Sequence, residues 1–207
     1  MVNKGKMNTR KSKARETKIK IYQSAKQLFT KYSFDTVSVD SIVEMAGVSK
    51  GSFYVHFDSK NSLIAALISD FVGELDLDYK SFLESLPANT MASDMLLYLM
   101  AKISDIISCT IGYEHMKFIY EAQLTRTINT NAVMSYNRDL YKIFNIIISK
   151  GIELGEFKTE LSSDIISKHC IMAIRGLTYE WCTRYPDFDL KDEAQKHFKI
   201  LLTGIKS

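Results

Sequence analysis

The sequence predicts an all-α protein of about nine helices, with a three-helix N-terminal head and a larger helical body. Apolar residues recur at spacings of three and four along the whole chain, with no sustained period-two alternation. Two prolines and nine glycines in 207 residues leave few places for turns, so the helices are long. A third observation marks off the head: from Ser38 to Lys60 two short helical patterns are joined by a tight turn.

Residues 1–14 carry five cations, no acid and no apolar pattern, and read as a flexible basic arm. Such an arm can add phosphate contacts or simply be a solvated terminus. Arg15 to Tyr32 is a helix whose stripe is Ile21, Tyr22, Ala25, Leu28, Phe29 and Tyr32. The break follows at Ser33-Phe34-Asp35-Thr36, with Phe34 tucked back into the core. Ser38 is the N-cap of the next helix, where Val39, Ile42 and Val43 form an apolar face. Gly47 is its stop, because glycine enters the left-handed region without steric cost. Ser49 caps a second helix, Lys50 to Phe57. Phe53 and Phe57, four apart, anchor that helix, which leaves Tyr54 and His56 pointing elsewhere.

From Ser59 a long connector runs to about Leu86, where Pro87 ends it. Its stripe is Leu63, Ile64, Leu67, Ile68, Phe71 and Leu75, and it passes an acidic patch at Glu74, Asp76 and Asp78. Five body helices follow, over Thr90–Thr110, Tyr113–Leu124, Ala132–Leu154, Asp164–Arg184 and Leu190–Ile205. The domain boundaries expected are therefore 1–14 for the arm, 15–58 for the head, 59–86 for the connector and 87–207 for the body.

Composition excludes several classes. No window holds 18 uncharged apolar residues, so no membrane span is expected. The basic N-terminus is not followed by an apolar stretch of the secretory type. Three cysteines without a CxxC spacing point to a reducing compartment, hence the cytoplasm, and to no disulfide framework. Residues 1–58 carry eleven Lys and Arg against five Asp and Glu, whereas residues 59–207 carry sixteen against nineteen. A basic head on a mildly acidic body suits a polyanion. No GxSxG, P-loop, HExxH or metal-ligand spacing is present, so no catalytic residue, cofactor or metal is expected.

On spacing alone the 38–60 unit is equally an ordinary helical hairpin or a DNA-reading module. Its residues say more. Ala46, Gly47, Val48, Ser49, Gly51, Ser52, Phe53, Tyr54, His56, Phe57 and Lys60 closely resemble the recognition-helix signature of the TetR family of bacterial transcriptional regulators. The strong resemblance covers about residues 15–75; the body resembles the family only in its helix pattern and in the segments GEF and GLTYEW. It implies a dimeric regulator of double-stranded DNA, released from a palindromic operator by a small molecule.

The DNA-binding residues expected are Thr36, Ser38, Ser49, Lys50, Gly51, Ser52, Tyr54, His56 and Lys60. Among them, Thr36, Ser38 and Ser49 would cap helices or touch phosphates. Lys50, Gly51, Ser52 and Tyr54 would face the major groove, with Lys50 on a guanine, and His56 and Lys60 would hold the backbone. Met and aromatic residues at helical spacing give candidate pocket residues for an apolar or amphipathic effector: Met95, Tyr98, Met116, Tyr120, Met134, Tyr141, Phe144 and Trp181. Taken singly, each is more often an ordinary core residue. A homodimer interface is expected from Ile165, His169, Met172, Gly176, Glu180, Phe198 and Leu202. The alternative left open is a helical small-molecule-binding protein whose head docks a protein partner.

Overall fold

The computed structural model of the protein describes residues 4–157 and 160–205. The helices among these are α1 (Lys4–Lys31), α2 (Val39–Ala46), α3 (Lys50–His56), α4 (Lys60–Glu84), α5 (Ala92–Asp105), α6 (Tyr113–Thr125), α7 (Asn131–Met134), α8 (Asp139–Glu153), α9 (Ser163–Arg184) and α10 (Leu190–Thr203). A π-helical segment, Ile106–Ile111, continues α5. The all-α class is as expected. The chain forms two compact units.

The first unit runs up to Asp70 and includes residues 122–130. It thus extends beyond the boundary expected at residue 58. Its interior is built from Ile21, Ala25, Phe29, Phe34, Ile42, Phe53, Phe57, Leu63 and Ile64, all buried. The Phe29 and Phe34 rings lie 4.8 Å apart, which fixes the break after α1. Tyr32, counted on the apolar stripe, is exposed instead. The segment read as a flexible arm is helical from Lys4 onward, and residues 1–3 lie outside the described residues. Lys, Arg, Met and Ala are good helix formers, and the stretch holds no proline to stop the helix. Residues 122–130 join this unit through buried Ala122, Ile128 and Thr130, and Asn61 Nδ2 donates to the Thr127 carbonyl at 3.1 Å.

The second unit comprises residues 71–121 and 131 onward. α5 packs on α8 and α10, and α9 packs on α8 and α10. Its main core gathers Tyr79, Leu96, Leu99, Met100, Phe144, Ile147, Ile148, Ile174, Phe198 and Leu202. A smaller cluster holds Met116, Trp181 and Leu190. Gly151 is needed in the last turn of α8: a Cβ there would lie 2.3 Å from the Phe157 ring and 3.0 Å from Ala92. Glu156, on the same corner, accepts the backbone N–H groups of Ala92 and Ser93, each at 2.7 Å, and so caps α5 from the far end of α8.

One long helix over Ala132–Leu154 was expected, but the chain breaks at residues 135–138. The cause is Asp76. Unlike Glu74 and Asp78 of the same acidic patch, which are exposed, it is buried and binds Arg138 through both carboxylate oxygens. It also accepts the Leu140 backbone N–H at 3.4 Å. Arg138 takes an extended conformation to reach it, and α8 restarts there with Arg138 as its N-cap. A buried carboxylate needs such partners, since an unpaired one is costly.

Candidate nucleic-acid interface

Three successive helices of the first unit begin with the same device. Ser38 accepts the Ser41 N–H at 3.0 Å, and Ser41 Oγ accepts the Ser38 N–H at 3.1 Å. Ser49 accepts the Ser52 N–H at 3.2 Å. Ser59 and Ser62 repeat the reciprocal pair, each bond at 3.1 Å. These Ser-x-x-Ser caps start α2, α3 and α4 sharply. Gly47, at φ 63°, closes α2, and its N–H reaches back to the Val43 and Glu44 carbonyls. The turn between α2 and α3 is therefore rigid, with Ser38 and Ser49 in the capping positions expected of them.

That rigidity aims α3. Phe53 is fully buried and Phe57 nearly so, with their rings 5.8 Å apart, so this face is committed to the core. Lys50, Gly51, Tyr54 and Val55 are exposed on α3, while Ser52 and His56 are half-buried. Lys50 is not idle: its Nζ lies 2.9 Å from Oδ1 and 3.0 Å from Oδ2 of Asp40 on α2. The hydrogen bond to Asp40, and then that carboxylate's charge, raises the Lys50 pKa. Thr36 is exposed and its Oγ1 donates to the Ser33 carbonyl at 3.0 Å.

Lys60 departs from expectation. Its half-buried ammonium donates to the Phe34 carbonyl at 2.8 Å and the Val37 carbonyl at 3.0 Å. It ties the α1–α2 connection to the start of α4, so its first role is inside the unit, not on a phosphate.

In the second unit the eight expected pocket residues do not converge. Tyr98 and Met134 are exposed, and Phe144 is fully buried in the main core. Met95 and Tyr141 pack on that same core. Met116, Trp181 and Tyr120 do gather in the smaller cluster. There the Tyr120 hydroxyl donates to the Arg175 carbonyl at 2.9 Å. A cleft of about 250 Å³ lies instead among Ala88–Met91, Lys150 and Leu154–Glu156, and none of the eight lines it. The scatter has a simple cause: periodicity marks apolar faces but does not say which faces meet.

The helix–turn–helix geometry is matched by relationship. The family model for bacterial regulatory proteins of the tetR family matches residues 21–67, the stretch from α1 to the first turns of α4. The transcriptional regulator AcrR of Shigella flexneri is 25% identical over 203 residues, covering 93% of this chain and 90% of AcrR. The repressor KstR2 of Mycolicibacterium smegmatis is 23% identical, covering 89% of this chain and 88% of KstR2. The stretch that carries the helix–turn–helix thus matches the tetR family model. The protein is a DNA-binding transcriptional regulator, not an enzyme. The fold agrees: Thermus thermophilus FadR, a repressor solved with lauroyl-CoA, has a TM-score of 0.68 at 17% identity, covering 90% of this chain and 94% of that one.

Ile165, His169, Met172, Gly176 and Glu180 are all exposed on one side of α9, and Tyr179 joins them. Phe198 and Leu202 do not. They are 1% and 4% exposed and close the regulator's own core. On α10 the exposed apolar residues are Ile200 and Leu201. Phe198 and Leu202 lie on the apolar stripe of α10, and spacing alone does not say whether such a stripe faces the chain's own core or a partner. Val55 is exposed although a valine on a short helix reads as core.

Proposed function

We propose that the protein is a homodimeric repressor that reads a palindromic operator through α3 and is released by an apolar or amphipathic small molecule. The observation that carries the reading is the division of α3: Phe53 and Phe57 face inward, and Lys50, Gly51, Tyr54 and Val55 face out on a sharply capped helix. A short, bare helix of this kind can enter the major groove, where side chains meet base edges. The wide exposed side of α9, with Ile200 and Leu201 of α10, supports a two-fold contact between copies. A dimer would present two copies of α3 to two half-sites.

Met116, Trp181 and Tyr120 support an effector with an apolar body. Solved relatives bind fatty acyl-CoA, as FadR of Thermus thermophilus with lauroyl-CoA and FadR of Bacillus subtilis with stearoyl-CoA do. We infer an effector of comparable amphipathic character. It would act by binding the DNA-free state more tightly, shifting the balance only by that difference in affinity. No single helix among the described residues is long and apolar enough to cross a membrane, and a cytoplasmic location is consistent with the reading.

The test is selection of bound sequences from a random DNA pool at about 150 mM salt, followed by release assays with acyl-CoA thioesters of graded chain length. Enrichment of an inverted repeat supports the reading. A folded, dimeric protein that enriches nothing would move the assignment to a head that docks a protein partner.

A further inference from the structure

Val55 is 77% exposed, more than any other large apolar side chain among the described residues. It stands on α3, one turn beyond Gly51, so the two share a face. Gly51 has no internal reason to be glycine. Its φ lies outside the left-handed region, and a Cβ would meet only Ser49 Oγ, at an ordinary 3.8 Å. Alanine would fit and would favour the helix, since glycine loses more freedom on folding. A bare backbone held against helix propensity, next to a bare isopropyl group, marks a place where another molecule comes close.

The surroundings narrow what that molecule is. Lys50 and Tyr54 flank the pair, and Ser49 and Ser52 adjoin it, so the apolar spot is small and ringed by hydrogen-bonding groups. A protein partner or a lipid surface would want a broad apolar patch. The DNA major groove offers a single small apolar group among donors and acceptors, the thymine C5-methyl. We propose that Gly51 and Val55 form a notch that takes one thymine methyl in each operator half-site, Gly51 giving the clearance and Val55 the contact. The proposal rests on the DNA-binding reading and adds a base identity to it.

The experiment uses the full-length protein and the operator obtained by selection. Each thymine is replaced in turn by deoxyuridine, which removes the methyl and leaves every hydrogen bond. For the parent protein, one thymine per half-site should lose about 4-fold in affinity on replacement, the worth of one buried methyl-sized group. Val55→Ala should lose a similar factor on the thymine operator and become indifferent to deoxyuridine at that position. Gly51→Ala should melt no lower than the parent yet bind the thymine operator more weakly. Val55 is exposed, so its replacement leaves the core intact, and the deoxyuridine scan of the parent needs no variant at all. Tight operator binding that ignores deoxyuridine everywhere would overturn the notch and leave the DNA-binding reading standing. So would Val55→Ala keeping the parent's full sensitivity. Failure to enrich any operator would remove both.

Discussion

The ammonium of Lys50, first residue of the recognition helix, lies 2.9 Å from the Asp40 carboxylate on the helix before it. Both groups are more than half exposed, so the contact orients Lys50 more than it stabilises the fold. It also places an anion beside the surface proposed to meet DNA.

Two opposed substitutions follow. Lys50→Ala should change base preference, with a loss of about tenfold at the position it reads and little elsewhere. Asp40→Ala frees the lysine and removes a repelled charge, so it should raise affinity on every sequence. Fluorescence anisotropy on the selected operator and on scrambled DNA separates the two effects. Weakening by Asp40→Ala would show instead that the pair is needed to aim Lys50.

Lys60→Ala should act on stability first. It removes an ammonium held by two backbone carbonyls, and charged hydrogen bonds of this kind are worth about 1.5–3 kcal/mol. Thermal unfolding should fall clearly, and DNA affinity should drop alike on all sequences because the loop from Phe34 to Val37 loosens. An unchanged melting temperature with weaker binding would return Lys60 to a direct phosphate role.

The two faces of α10 and α9 give a paired test. Met172→Glu places a charge on the exposed side of α9 and should yield folded monomers that bind DNA poorly. Phe198→Ala empties the core and should cost about 3–5 kcal/mol, whatever the oligomeric state. Sedimentation and thermal melting distinguish them, and a Met172→Glu protein that remains a dimer would rule this face out.

These outcomes also show where sequence reasoning works. The caps at Ser38 and Ser49, the Gly47 stop and the inward Phe53 and Phe57 are local, and a few neighbouring residues determine them. Asp76 could not be read that way. Its partner, Arg138, is 62 residues on, and nothing nearby announces that this one acid of three is buried. Tyr98 and Phe144 looked alike as pocket candidates, yet one is exposed and the other fully buried, because that depends on which helix lies opposite.

The cysteines differ in a way that can be titrated. Burial pushes the Cys170 thiol up to about 12 and that of Cys182 up to about 11, from an ordinary 9.0. Both should resist maleimide at neutral pH, while exposed Cys109 reacts first. Because the folded state holds Cys170 protonated, its contribution to stability is full below pH 9 and falls as pH rises toward 12. Mass spectrometry of the native protein should therefore find one rapid adduct, and two or three would contradict the burial of the others.

The serine pairs that start α2, α3 and α4 carry no ionisable group. Nothing in those six side chains responds to acid, base or added salt over the range in which a cell lives. Attraction to a polyanion, by contrast, weakens steeply as salt displaces it. The regulator can therefore hold the backbone of its reading helices in one shape while its grip on DNA follows the ionic strength around it. Solution conditions would change how long the protein stays on DNA while leaving these helix starts in place.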